Sequence, residues 1–219
     1  MRKFLLVPMA LTLAMCYGAD PTPKRENIEW TDVWFPNSRD HDLPRVALIG
    51  DSITRAYFTA VEAKLKGKAY CARIATSKAV GDPALPAQIA LFLSEEKFNV
   101  VHFNIGMHGW EYSEDEYRRY LPELLAAVRK GAPGAKLVWA STTPVRKDKE
   151  PGPSNARVEA RNRIAREFFE KQGIVVDDLH AAISGHDELH KDDVHFDDEG
   201  SGILAGSVAA SVEKLLVGR

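Results

Sequence analysis

Residues 45–54 read Arg-Val-Ala-Leu-Ile-Gly-Asp-Ser-Ile-Thr and combine two local patterns, that of a buried strand and that of the start of a helix. The first five residues form a short, mainly apolar run that ends at Gly50, which is typical of a strand buried in a parallel sheet. Apolar residues then recur at helical spacing, at Ile53, Tyr57, Val61 and Leu65, until Gly67 ends the pattern. The stretch therefore predicts a strand that leads directly into a helix.

The same order of a strand and then a helix returns four more times along the chain. Further strands are predicted at 70–74, 99–105, 136–140 and 174–177, and further helices at 86–93, 114–130, 155–171 and 197–217. Five such units without an internal repeat predict a three-layer αβα sandwich with a mostly parallel five-stranded sheet. Because ligands bind at the carboxyl ends of such strands, we expect functional residues directly after them.

Length and composition exclude several classes of protein. The 219 residues suffice for one domain with a real core and hardly for two. Apolar residues make up 45% and charged residues 27%, as in soluble globular chains, which excludes a disordered, collagen-like or coiled-coil chain. Lys plus Arg number 29 against 31 for Asp plus Glu, so no basic excess favours binding to nucleic acid.

The N-terminus has the pattern of a secretory signal peptide. Basic residues at 2–3 precede a mainly apolar run at 4–15, and small residues follow at 18–19. The run is shorter than the roughly 17–25 apolar residues of a membrane-spanning helix. The alternative is a buried N-terminal helix. We predict a signal peptide over 1–19, a secreted or periplasmic protein, and no stable membrane insertion after its removal.

Two further features of the N-terminal region bear on processing and domain organisation. A lipoprotein signal has a small residue before its cysteine, whereas Met15 precedes Cys16, which argues against a lipid anchor. Residues 20–42 are polar but carry several apolar side chains, so we predict a lead-in segment that packs on the domain. The domain itself is predicted to span 43–219.

Gly50-Asp51-Ser52 lies where the first strand meets the first helix. A serine at this place points its hydroxyl into the ligand-binding crevice at the carboxyl ends of the strands. Its backbone N–H lies at a helix N-terminus, which favours negative charge. Both properties suit a nucleophile whose attack creates an oxyanion. The alternative is an ordinary helix cap, because Ser and Asp are favoured capping residues.

Asp192 and His195 lie in the loop before the last predicted helix. A hydroxyl nucleophile needs a base that titrates near neutral pH, ordinarily histidine. An aspartate three residues earlier can orient the imidazole ring. The alternative is a solvated acidic stretch that contains an incidental histidine.

Together, Gly50-Asp51-Ser52 and Asp192-x-x-His195 resemble the motifs of the SGNH, or GDSL-type, hydrolase superfamily of esterases, lipases and carbohydrate deacetylases. The resemblance spans residues 46–217. It implies a flavodoxin-like α/β fold, with Ser52 as nucleophile, His195 as base and Asp192 as the group that orients it.

The resemblance also implies an oxyanion hole, for which Ser52 contributes its amide and Gly81 is the best candidate for the glycine after the second strand. A Gly-x-Asn block follows the third strand in the family, whereas this chain has Gly-Met-His-Gly at 106–109. His108 stands where the asparagine is expected, and a neutral imidazole has one N–H donor. Two alternatives are that Asn104 is the donor, if the strand ends earlier, and that the two backbone amides form the hole alone.

Aromatic residues Trp110 and Tyr112 follow this block at the predicted crevice rim, where they could stack on a sugar ring. The alternative is that they pack on the lead-in segment.

A histidine- and carboxylate-rich stretch raises the question of a metal. It contains His186, Asp187, Glu188, His190, Asp192, Asp193 and His195. If His195 is the catalytic base it is not free as a ligand, and no zinc motif with two helical histidines is present. We predict neither a metal nor a cofactor.

These observations predict a secreted serine esterase that hydrolyses an oxygen ester through an acyl-enzyme. The resemblance favours an acetyl ester on a carbohydrate, either a small molecule or a polysaccharide. The alternatives are a lysophospholipase or thioesterase of the same fold, and a non-catalytic carbohydrate-binding relative.

Overall fold

The computed structural model describes residues 22–217, so the predicted signal peptide over 1–19, with Cys16, lies outside the described residues. Six strands are described: β1 (Thr31–Trp34), β2 (Arg45–Gly50), β3 (Tyr70–Thr76), β4 (Val100–Phe103), β5 (Lys136–Ala140) and β6 (Val175–Asp177). The helices are α1 (Ser52–Leu65), α2 (Ala84–Ser94), α3 (Glu114–Gly131), α4 (Asn155–Lys171), α5 (Leu179–Ile183) and α6 (Asp198–Val217). A 3-10 turn covers Asp187–Leu189.

The strands form one sheet in the order β1-β3-β2-β4-β5-β6, and all neighbouring pairs except β1–β3 are parallel. The five parallel strands therefore follow the flavodoxin-like order 2-1-3-4-5, whose ligand crevice opens between the first and third of them. Here these two strands are β2 and β4. The predicted α/β sandwich is confirmed.

The predicted number of strands is wrong, because the sheet has six strands among the described residues and not five. The additional strand, β1, belongs to the lead-in segment and pairs antiparallel with β3, with Thr31 opposite Thr76. It is a short edge strand, largely exposed to solvent, with the sequence Thr-Asp-Val-Trp. Four residues without an apolar alternation give too weak a pattern to indicate a strand.

Helices cover both faces of the sheet, which explains the apolar character of β2. Val46 and Leu48 pack on the side of α1 and α6, whereas Ala47 and Ile49 pack on the side of α2, α3 and α4. All four side chains are fully buried. Successive residues of a strand point to opposite faces, so a strand covered on both faces needs a continuous apolar run.

Helix α6 belongs to the core. Among residues 22–217 it is the one helix whose length and composition would allow it to cross a membrane. Its residues Leu204, Ala205, Val208 and Val212 are fully buried, in the same cluster as the apolar side chains of α1. Burial in this cluster accounts for its apolar composition.

Strand β4 ends at Phe103, two residues earlier than predicted. The backbone N–H of Asn104 still donates to the carbonyl of Ile49 (2.9 Å), but its side chain turns towards β5. There the Asn104 amide donates to the carbonyl of Ala140 (2.6 Å) and to the hydroxyl of Thr142 (3.2 Å). These bonds tie together the ends of two adjacent strands, and the chain leaves the sheet at this point.

Candidate active site

Ser52 is the first residue of α1, and its hydroxyl faces an imidazole. Asp51 caps the helix, because its carboxylate accepts from the backbone N–H of Ile53 (2.9 Å). The cap is therefore the aspartate and not the serine, which leaves the Ser52 hydroxyl free. Its Oγ lies 2.7 Å from Nε2 of His195.

Asp192 holds the other side of the His195 ring. Nδ1 of His195 lies 2.8 Å and 3.1 Å from the two carboxylate oxygens of Asp192. The same carboxylate accepts from the backbone N–H groups of Val194 (2.8 Å) and His195 (2.7 Å). Partial burial opposes ionisation, but these bonds prevail and lower the pKa of Asp192 to about 2. The charged carboxylate favours a proton on Nδ1 and leaves Nε2 as the acceptor for the Ser52 hydroxyl.

The loop that carries this pair is held by backbone bonds. The N–H of Lys191 donates to the carbonyl of His195 (2.9 Å), and the N–H of Arg146 donates to the carbonyl of Asp193 (2.9 Å). The second bond attaches the loop to the segment that follows β5. The imidazole is thereby placed at the carboxyl edge of the sheet.

Gly81 lies in the loop after β3 with φ of +108°, a conformation that side chains rarely adopt. A Cβ at this position would lie 2.8 Å from a ring carbon of Tyr120 and 2.9 Å from one of Tyr112. Both the backbone conformation and the close packing of the two rings therefore require glycine here.

His108 lies in the loop after β4, with one ring nitrogen engaged and the other free. Its Nδ1 is 2.8 Å from a carboxylate oxygen of Glu26, in the lead-in segment. Its Nε2 is buried and has no hydrogen-bond partner among residues 22–217. Burial lowers the pKa of His108, but the bond to Glu26 and the charges of Asp51, Glu26 and Glu29 outweigh it, so the pKa is raised.

Buried Arg161 on α4 shapes the backbone around His108. Its guanidinium donates to the carbonyls of His108 (3.2 Å), Gly109 (2.9 Å) and Tyr112 (2.8 Å). Arg161 is only 1% exposed, so these bonds form in a poorly hydrated environment. The loop that presents His108 is therefore fastened at three carbonyls.

The two candidates for a side-chain oxyanion donor differ in what they leave available. Asn104 was a candidate only if β4 ended earlier than predicted, and β4 does end earlier. The Asn104 amide is nevertheless engaged by Ala140 and Thr142. His108 has a buried ring nitrogen without a partner among the described residues. The geometry therefore favours His108 over Asn104.

The prediction that Tyr112 lines the rim is corrected by the structure. Tyr112 is 4% exposed, packs at Gly81, and its hydroxyl accepts from the backbone N–H of Lys24 (3.0 Å). Trp110 donates to the carbonyl of Met107 (2.7 Å) and has the guanidinium of Arg161 4.3 Å from its ring centroid. Tyr112 thus packs on the lead-in segment, as in the alternative interpretation of this aromatic pair.

The histidines considered for a metal serve separate contacts. Nδ1 of His186 lies 3.1 Å from a carboxylate oxygen of Glu188, and the ring of His190 lies 4.2 Å from that of Phe196. His195 faces Ser52. In the described part of the chain, no group of three or more His, Cys, Asp or Glu side chains is arranged to hold a metal ion.

Sequence reasoning missed Glu26 and Arg161. Arg161 had a signal, because it lies in the buried stripe of α4 with Val158, Ala165 and Phe169, and a charge at such a position needs partners. Glu26 had none, because it lies in a polar segment without periodicity.

The α/β sandwich and the line from Ser52 through His195 to Asp192 define a hydrolase of the SGNH type. The model of the GDSL-like lipase/acylhydrolase family matches residues 48–203, and the chain belongs to this family. It is accordingly an ester hydrolase, and the resemblance predicted from the sequence motifs is confirmed.

Solved structures with the same fold include several esterases. A carbohydrate esterase of family 3 from Talaromyces cellulolyticus has a TM-score of 0.65 at 18% identity, covering 80% of this chain and 98% of that one. The acetyl xylan esterase AlAXEase has a TM-score of 0.63 at 17% identity, with 77% and 99% covered. The aryl esterase of M. smegmatis has a TM-score of 0.61 at 14% identity, with 78% and 99% covered. The sequence matches none of the curated proteins with which it was compared.

Proposed function

We propose that this ester hydrolase is a serine esterase that acts outside the cytoplasm and removes an acetyl group from a carbohydrate through an acyl-enzyme. The observation that carries the proposal is the pair of contacts at His195, 2.7 Å to the Ser52 hydroxyl and 2.8 Å to the Asp192 carboxylate. These distances suit a nucleophile, a general base and the group that orients the base.

In the first half-reaction, Oγ of Ser52 attacks the ester carbonyl carbon while its proton passes to Nε2 of His195. The carbonyl oxygen becomes an oxyanion, stabilised by the backbone N–H groups of Ser52 and Gly81 and by His108. The bond between carbon and the alcohol oxygen then breaks, and His195 returns the proton to the leaving alcohol. Ser52 is left acylated.

In the second half-reaction, water attacks the acyl-enzyme and gives one proton to His195. The bond between the acyl carbon and Oγ breaks, Ser52 recovers its proton from His195, and the carboxylic acid leaves. Asp192 remains ionised throughout and stabilises the imidazolium that forms in each half.

The substrate class and the location rest on separate support. Two of the similar structures are a carbohydrate esterase and an acetyl xylan esterase, which supports a carbohydrate ester.

The signal pattern over 1–19 supports export. N-terminal sequencing after expression of the full chain in a secreting host is expected to find a new terminus near Asp20; a product that retains Met1 in the cytoplasm would contradict export.

The activity is tested by intact-mass measurement after incubation with a fluorophosphonate probe, in buffer that contains EDTA. Wild type is expected to gain one adduct and Ser52→Ala none. A panel of acetyl, butyryl, octanoyl and feruloyl esters, acetylated xylan, a lysophospholipid and an acyl thioester then identifies the substrate. Preference for the lysophospholipid or the thioester would overturn the carbohydrate assignment, and an unlabelled wild type would indicate a non-catalytic relative.

A further inference from the structure

The lead-in segment reaches the candidate active site at Glu26. This residue precedes the family-matched region, 48–203, and its carboxylate lies 2.8 Å from Nδ1 of His108. The His108 side chain is 16% exposed and that of Glu26 is 43% exposed. A residue outside the family match therefore contacts the side chain that stands in place of the usual asparagine.

Glu26 is placed by contacts that do not involve His108. Its backbone N–H donates to the Glu29 carboxylate (2.9 Å), and the preceding Arg25 forms an ion pair with buried Asp82 (2.8 Å). Asp82 follows Gly81 directly in the chain. The segment is thus anchored beside one expected oxyanion donor and extends its carboxylate to the other.

The chemistry of this contact determines what His108 can donate. An ionised carboxylate only accepts hydrogen bonds, so Nδ1 of His108 must carry a proton to bond Glu26. A neutral imidazole has one N–H, and Nε2 would then be a bare acceptor that repels an oxyanion. Only the imidazolium form presents an N–H at both nitrogens.

The ring nitrogen of His108 that does not contact Glu26 is left for a second hydrogen bond. Nε2 of His108 is buried without a partner among the described residues, and a buried donor left unpaired is costly. His108 follows β4 and Ser52 follows β2, and these two strands are paired side by side with Ile49 opposite Phe103. An oxyanion formed at Ser52 is the ligand atom that this arrangement suits.

We propose that Glu26 is a positioning residue for ester hydrolysis, holding the imidazolium of His108 by Nδ1 so that Nε2–H donates to the oxyanion; this role rests on the function proposed above.

The charges around His108 favour this protonation state. The negative charges of Glu26 and Glu29 in the lead-in segment, and of Asp51 at the junction of β2 and α1, raise the pKa of His108. Arg161 of α4 contacts its carbonyl oxygen. Burial lowers the pKa of His108, but the carboxylates raise it by more than burial lowers it. Removal of the Glu26 charge is therefore expected to lower that pKa.

The test is the dependence of kcat on pH for wild type and Glu26→Gln. At the alkaline side, the rate is expected to fall as His108 loses its second proton. Because Glu26→Gln lowers the pKa of His108, this fall is expected to move to lower pH by about one unit, a tenfold change in proton affinity. The value of kcat is expected to decrease more than KM changes, because the hydrogen bond from Nε2–H of His108 to the oxyanion strengthens in the transition state.

Two controls separate a positioning role from a merely structural one. Glu29→Gln removes a carboxylate charge from the same segment but keeps a side-chain oxygen that can accept from the Glu26 backbone N–H, so Glu26 stays in place and a smaller displacement of the alkaline fall is expected. In a His108→Asn background, Glu26→Gln is expected to change neither kcat nor the pH profile, because Glu26 acts through His108. NMR titration of the His108 ring nitrogens in wild type and Glu26→Gln supplies a readout that is independent of turnover.

The outcomes distinguish this inference from the proposed function. If wild type is labelled at Ser52 and hydrolyses esters, but Glu26→Gln leaves the pH profile and the His108 titration unchanged, the role of Glu26 is overturned and the function stands. An equal effect of Glu26→Gln in both backgrounds would also overturn it. A wild type that is neither labelled nor active would overturn the proposed function and this role with it.

Discussion

The Ser52 hydroxyl and Nε2 of His195 lie 2.7 Å apart, although 143 residues separate them in the chain. Ser52 opens α1, His195 lies in the loop before α6, and side chains of these two helices share one apolar cluster. The packing of the first helix of the domain on the last one therefore brings the candidate nucleophile to its base.

The first prediction concerns this pair. Ser52→Ala and His195→Ala are each expected to lower kcat by about 10³-fold or more, since each removes one half of a single proton-transfer unit. The double variant is expected to be little worse than either single variant. Steady-state kinetics with an activated acetyl ester measures all three, and losses that multiply in the double variant would contradict a shared mechanism.

The second prediction concerns Asp192 and pH. Its pKa in the folded protein is about 2, below the value of about 4 for an unfolded chain. A lowered carboxyl pKa stabilises the fold above the unfolded value, and this contribution is lost as the pH falls towards 2. Asp192→Asn is therefore expected to have a lower Tm than wild type at pH 6, with the difference shrinking between about pH 4 and pH 2.

Thermal denaturation over this pH range checks the second prediction. Asp193→Asn is the matched control, because it removes a carboxylate from the same loop and leaves the bonds of Asp192 to Val194 and His195 intact. A Tm difference for Asp192→Asn that does not change between pH 6 and pH 2 would refute the assigned origin of the effect.

The third prediction compares His108 and Asn104. His108→Ala is expected to lower kcat by about 10²–10³-fold with little change in KM, and His108→Asn is expected to recover part of this loss. Asn104→Ala removes the donor to Ala140, so it is expected to lower the free energy of unfolding by about 1–3 kcal/mol and to keep kcat per folded molecule.

Urea denaturation and kinetics on the same preparations separate the two effects in the third prediction. If folded Asn104→Ala has lost turnover while His108→Ala is nearly as active as wild type, then Asn104 is the oxyanion donor and the assignment of His108 is wrong.

The fourth prediction concerns Gly81. Gly81→Ala places a Cβ within 2.9 Å of two tyrosine rings on a backbone with φ of +108°, so both Tm and kcat are expected to fall. Gly134→Ala is the control, since Gly134 has φ of +81° but a Cβ at that position would have no neighbouring atom within 4 Å. It is expected to lower Tm slightly and to leave kcat as it is; equal effects of both variants on kcat would contradict a special role for Gly81.

The strand and helix order was predictable because each element carries its own pattern. The limits of β5 (Lys136–Ala140) and α4 (Asn155–Lys171) agree with those predicted. Gly131 and Pro133 mark the end of the helix before β5, and Gly173 marks the end of α4. Strand β1 was not predictable, because a short, exposed edge strand needs no apolar alternation. The end of β4 was misplaced because the apolar residue Ile105 and then Gly106 follow its last paired residue, Phe103, and suggest a later end.

The α/β architecture and the candidate residues Ser52, Asp192 and His195 could be predicted from the sequence, because hydrophobic periodicity and short motifs are properties of neighbouring residues. The bond of the Asn104 amide to Ala140 and the contact of Glu26 with His108 became visible only in the folded chain. The partners in these contacts are 36 and 82 residues apart in the chain. At such separations, the packing of strands and helices determines which polar groups contact each other. No local sequence pattern contains that information.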